Sequence, residues 1–184
     1  AFTAAGGDIT STTATPTAAG AGFSDAESQT MYVEKRNGEI VTTILVDIQG
    51  LRDSGTVKDV IGDDGEAAAY MTRITTAVNG IIYKAEISCV KLPAGGDLDI
   101  DLVTSSDSLA ENALYDSGTT EVALIPATAN WTAGMTRHSA AGLDCTNISA
   151  NSHYVYLANG AGGDGDAEYT AGKFVIKLYG AADF

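Results

Sequence analysis

An all-β fold is what this sequence predicts: an antiparallel β-sandwich, jelly-roll-like or immunoglobulin-like, preceded by an extended N-terminal arm. Three observations predict it. From Met31 onward, apolar residues recur with period two in short runs. Those runs are separated by Gly, Pro, Asn and Asp, and they are rich in Val, Ile, Thr and Tyr. The chain has 184 residues, 45% hydrophobic and only 18% charged. Its polar surface must therefore come from Thr, Ser, Asn and Gly, which suits strands better than helices. The length fits one domain, residues 32–184, behind an arm, residues 1–31.

Residues 1–31 contain no Lys or Arg and are dominated by Ala, Gly, Thr and Ser. Such a segment cannot bury enough apolar surface to fold alone. Its hooks are Phe2, Ile9 and Phe23, spaced too widely for a strand or helix face. The arm is disordered or becomes ordered by lying on a partner.

Residues 40–48 alternate Ile40, Thr42, Ile44, Val46 and Ile48 against Val41, Thr43, Leu45 and Asp47, a central strand of β-branched side chains. Residues 70–78 and 81–92 flank Asn79-Gly80, a dipeptide that closes two-residue hairpins because both residues accept positive φ. In the second run Ile81, Tyr83, Ala85, Ile87 and Cys89 share one face, with Lys84, Glu86 and Ser88 opposite, so one face is buried and the other wet. After Pro93-Ala94-Gly95-Gly96, Leu98, Ile100 and Leu102 point inward, while Asp97, Asp99 and Asp101 read as a solvated face. Residues 105–118 carry a short-helix signal capped by Ser106 or Ser108. Strands at 120–125, stopped by Pro126, and at 153–158 and 173–179 complete the set, the last one locking the fold closed. The expected core is Ile44, Val46, Ile87, Ile100, Leu102, Phe174 and Ile176. No repeat of 20 to 50 residues marks a solenoid or propeller.

Charge narrows the partners. With 24 Asp and Glu against 10 Lys and Arg, the net charge is −14. No basic cluster exceeds Lys35-Arg36, so the phosphate-neutralising term of nucleic-acid binding is missing, as is attraction to anionic lipid. Neither nucleic acid nor a membrane is an expected partner. No apolar run reaches the roughly 18 to 20 residues of a membrane span. The start at Ala1, without a basic and apolar leader, reads as a chain that has lost its initiator Met or been processed.

Catalytic chemistry is not expected. His138 in a loop and His153 at a strand start read as surface residues without the local spacing of a zinc site. No glycine-flanked nucleophile elbow is present. The glycine-rich loop 159–166 carries carboxylates where a phosphate-binding loop would hold its anion. Those carboxylates, Asp164, Asp166 and Glu168, are weak candidates for structural Ca²⁺; Asp63 with Asp64, and Asp97, Asp99 and Asp101, are others, none at EF-hand spacing. No other cofactor is expected. Cys89 lies in an apolar strand pattern and reads as a free buried thiol rather than as the disulfide partner of Cys145. Asn130-Trp131-Thr132 and Asn147-Ile148-Ser149 match the glycosylation sequon. Trp131 is expected to plug one end of the core.

Four blocks carry a resemblance. Val41-Thr42-Thr43-Ile44-Leu45-Val46-Asp47 is followed by Gly50-Leu51, and Asp59-Val60-Ile61-Gly62 comes next. The third block is Leu92-Pro93-Ala94-Gly95-Gly96-Asp97-Leu98-Asp99-Ile100-Asp101-Leu102. The fourth is Tyr169-Thr170-Ala171-Gly172-Lys173-Phe174-Val175-Ile176-Lys177-Leu178-Tyr179-Gly180. In this order, over roughly residues 40–180, they resemble the small virion proteins with which tailed bacteriophages of marine bacteria decorate or cement the capsid. The resemblance implies a non-enzymatic protein on the outer capsid surface of the virion. Its partner would be the major capsid protein lattice, and self-association, as a trimer, would be expected. It carries over no active-site residue. Lattice contacts would then involve the arm around Phe2, Ile9 and Phe23. Other classes compatible with the residues are a head-fibre, tail-tube or connector component, and a calcium-dependent, cell-surface carbohydrate-binding sandwich using loop 159–166 with Tyr154, Tyr156 and Tyr169.

Overall fold

The computed structural model describes residues 16–24, 28–36, 38–117, 120–126, 129–140, 143, 148, 152–161 and 166–182. In chain order its strands are β1 (Ser28–Arg36), β2 (Glu39–Asp47), β3 (Arg52–Ser54), β4 (Thr72–Arg73), β5 (Ile81–Ala94) and β6 (Ile100–Ser105). Then come β7 (Glu121–Ile125), β8 (Thr136–His138), β9 (Tyr154–Asn159), β10 (Asp166–Glu168) and β11 (Ala171–Ala181). One α-helical turn, α1 (Thr76–Asn79), precedes β5. Strands account for 51% and helical turns for 8%, as an all-β sandwich requires.

Two antiparallel sheets face each other. The larger has the order β1-β2-β11-β5-β8 and the smaller β4-β9-β6-β7, while β10 and β3 form a separate pair. One core joins the two sheets, with Ile44, Val46, Ile87, Phe174 and Ile176 from the larger meeting Ile100, Leu102, Leu124, Val155 and Leu157 from the smaller. All seven expected core residues lie in it. The last strand does close the fold, because β11 lies between β2 and β5 and pairs with both.

Asn79-Gly80 is not a hairpin turn. It ends α1, with Gly80 at φ 69° as the C-cap and the Thr75 side chain accepting from the Val78 amide at the N-cap. Positive φ at Gly serves either turn; tertiary placement chose this one. The segment before it belongs to the smaller sheet, through β4, and the segment after it to the larger, so a hairpin would join strands that do not pair. Buried Asn79 pins the turn, accepting from the Thr75 amide (2.8 Å) and donating from Nδ2 to Thr42 Oγ1 (2.8 Å).

The expected face of 81–92 is also corrected. Ile82, Ala85, Ile87 and Cys89 are buried, while Ile81 and Tyr83 are exposed. Between the pairs Tyr179↔Lys84 and Gly180↔Ile82 the register slips by one residue of β5. Such a bulge reverses which side chains point inward.

The segment expected as a helix at 105–118 forms, over its described residues 106–117, a loop with one 3₁₀ turn, Tyr115–Ser117. Residues 58–69 supply its backbone partners, as in Ala69 N–H to Leu109 O (2.8 Å) and Asn112 N–H to Val60 O (3.1 Å). With Leu109 and Tyr115 it covers the outer face of the smaller sheet, packing on Val103, Tyr156 and Ala158. Its central strands β6 and β9 are therefore buried on both faces. Tyr156 Oη donates to Asp107 O (2.7 Å) and accepts from Leu109 N–H (2.9 Å), and burial drives its pKa far up.

Residues 16–24, within the expected arm, pack against the domain. Gly20 N–H donates to Tyr70 O (2.9 Å), Gly22 N–H to Ala67 O (3.0 Å), and Ser24 N–H and Oγ–H to Asp63 Oδ2 (3.0 and 2.7 Å). Phe23 is buried in the central core, so it is a packing residue of the domain and offers no hook to a partner. A Cβ on Gly20 would lie 1.7 Å from Ala68 O, which is why a glycine stands at this close approach. Phe2 and Ile9 lie outside the described residues.

His153, expected at the surface, is buried between Thr104 Oγ1 (3.0 Å from Nδ1) and Thr120 Oγ1 (3.3 Å from Nε2). Burial lowers its pKa below the ordinary 6.5. The unfolded chain therefore takes up this proton first as pH falls, and the stability lost accumulates from about pH 6.5 down to the folded value. The melting temperature should decline over that window. His153→Asn should flatten the decline.

Candidate functional site

The acidic segments are structural. Asp97, Asp99 and Asp101, expected on a solvated face, are only 1%, 3% and 6% exposed. Asp97, Asp99 and Asp53 point carboxylates at backbone amides: Asp53 Oδ2 accepts from Asp97 N–H (2.7 Å) and Oδ1 from Gly55 N–H (3.0 Å). Asp97 Oδ1 accepts from Asp99 N–H (2.9 Å), and Asp99 Oδ2 from Ala161 N–H (3.0 Å). The other Asp99 oxygen faces Arg137 Nη1 at 4.0 Å. Arg137 in turn stacks over buried Trp131, 4.1 Å from the ring centroid. Trp131 plugs the core as expected, edge-on to Phe174 at 5.5 Å.

Of the calcium candidates, Asp166 pairs with Arg52 (2.9 Å) and Glu168 is an exposed residue of β10, while Asp164 lies outside the described residues. Among the described residues no three His, Cys, Asp or Glu side chains are grouped to hold a metal ion. Tyr156 and Tyr169 are fully buried, so of the three loop tyrosines only Tyr154 has any surface to offer a sugar. Cys89 is a free buried thiol, raised in pKa chiefly by burial. Cys145 and Asn147 lie outside the described residues.

The surface that remains open is the outer face of the larger sheet. Because Phe174, Ile176 and Leu178 point inward, β11 presents Lys173, Val175, Lys177 and Tyr179 outward. Register then sets rows across the sheet. One runs Thr30, Leu45, Val175, Ser88 and Thr136; the next runs Tyr32, Thr43, Lys177, Glu86 and His138. Apolar side chains stand in the open here, with Tyr32 38%, Leu45 39%, Val90 59% and Leu92 39% exposed. Leu45, Val90 and Val175 line a shallow groove of about 170 Å³ together with Lys173 and Asp47, which form an ion pair at 2.7 Å.

Beside this groove Glu86 is held by several groups at once. Tyr179 Oη donates to it, Lys84 Nζ lies 3.5 Å away, and His138 Nδ1 3.2 Å. The Tyr179 hydrogen bond, with the Lys84 ammonium, lowers the Glu86 pKa. Burial and the same carboxylate push Tyr179 up to about 12. Lys84 also sits 4.7 Å over the Tyr179 ring.

This face was not among the residues singled out from sequence. Its signal was present in the outward alternation of Lys173, Val175, Lys177 and Tyr179, but β8 and the bulges that place Val90 and Leu92 on it were not legible. Comparison of the chain with protein families, with curated proteins and with solved structures finds no match.

Proposed function

We propose that this protein is a non-enzymatic virion structural protein that decorates or cements the outer capsid surface of a tailed bacteriophage. In this reading it self-associates as a trimer and binds the major capsid protein lattice. What supports it is that two of the four blocks carrying the resemblance are strands of the open face: 41–47 lies in β2 and 171–180 in β11. Their outward residues Leu45, Asp47, Lys173 and Val175 build the groove. Exposed apolar side chains grouped on one sheet face mark a protein contact more often than a small-molecule site.

Co-sedimentation with undecorated capsids tests the reading. The wild-type chain should pellet saturably with particles. Leu45→Glu combined with Val90→Glu should weaken binding by about 30-fold, the loss of a hot-spot contact worth roughly 2 kcal/mol, with an unchanged melting temperature. A wild-type chain that stays in the supernatant at every concentration sinks the proposal.

A further inference from the structure

We propose that the outer face of the β1-β2-β11-β5-β8 sheet docks an acidic protein surface with an apolar centre; this rests on the reading above and names the partner's chemistry. The chain is strongly acidic, yet this face is not. It carries Lys84, Lys91, Lys173 and Lys177 against Glu34, Glu39, Asp47 and Glu86. Four of the ten bases thus gather with four of the 24 acids, so these charges balance on a chain whose net charge is −14. The molecule is polarised, with its lysines around the exposed Leu45, Val90 and Val175.

Two of these lysines have no ion-pair partner among the described residues. Lys177 stands directly opposite Glu86, but that carboxylate is engaged by Tyr179, Lys84 and His138. Lys91 stands directly opposite Lys173, a like-charge cross-strand pair that costs stability. Asp47 relieves Lys173 at 2.7 Å, and no described residue forms an ion pair with Lys91. A face with two cations unpaired among the described residues, beside an apolar groove, is complementary to carboxylates arranged around an apolar patch. A polyphosphate would meet the exposed leucine and valines with nothing to cover them, and would be repelled by the net charge of −14.

Capsid co-sedimentation over a salt series, with Lys177→Glu, Lys91→Glu and the remote Lys58→Glu, tests the inference. Lys58 is exposed and pairs with Asp116 in the loop that covers the other sheet, so it controls for charge alone. The face variants should lose at least tenfold in affinity, Lys58→Glu less than twofold, and wild-type binding should weaken as salt rises. Face variants that bind like the wild type, or lose no more than Lys58→Glu, overturn the inference and leave the capsid reading standing. If the wild type does not pellet at all, the capsid reading falls and a glutamate–tyrosine copolymer becomes the probe. Wild-type binding that Lys177→Glu abolishes then upholds the face, and no wild-type binding overturns it.

Discussion

Trp131→Ala is expected to destabilise the fold by about 3 to 5 kcal/mol, as deletion of a large buried aromatic does. Trp131 is 1% exposed and spans three elements. Its amide donates to Leu98 O (2.9 Å) and its indole Nε1–H to Ile100 O (2.8 Å), fastening the loop that carries it to the start of β6. Its ring meets Phe174 of β11 edge-on and carries the Arg137 guanidinium. Alanine would remove the ring and leave both a cavity and an unpaired carbonyl, while Arg137 would lose the surface that holds it near Asp99. Urea denaturation checks this, with a lower midpoint at unchanged slope. Trp131→Phe should recover part of the loss, because it refills most of the volume without restoring the Ile100 hydrogen bond.

Asp53→Ala is expected to cost about 2 to 4 kcal/mol, since it strands the buried Asp97 amide and the half-buried Gly55 amide that the carboxylate now serves. Asp53 is fully buried in β3, and the Asp97 amide it holds lies 44 residues further along the sequence. Asp53→Asn should fall between, because a carboxamide has one acceptor oxygen and turns its NH₂ toward the other donor. Hydrogen exchange at the Asp97 and Gly55 amides reads the effect locally. An unfolding free energy for Asp53→Ala within about 0.5 kcal/mol of wild type would show that these amides have other partners.

The two residues show where sequence reading succeeds and where it stops. Trp131 was legible as a core plug because an isolated tryptophan among small residues has little else to do in a sandwich. The role of Asp53 was not, and the acids 97, 99 and 101 were read with the wrong sign of exposure. Alternation reports which side chains share a face; it does not report that loops 58–71 and 107–115 return to cover that face. For the same reason His153 looked exposed and residues 105–118 looked helical, although their backbone partners come from a segment some 50 residues earlier.

Sequence by itself determined the fold class, the core residues Ile44, Val46, Ile87, Ile100, Leu102, Phe174 and Ile176, and the closing role of the last strand. These follow from period-two burial, which is a local property of each strand. Tertiary structure alone decided that Asn79-Gly80 ends a helical turn, that a bulge turns Ile82 inward, that Phe23 packs in the core, and that four lysines gather on one face. Each depends on which strands become neighbours and in what register, a choice made by the global competition to bury apolar surface and satisfy backbone groups.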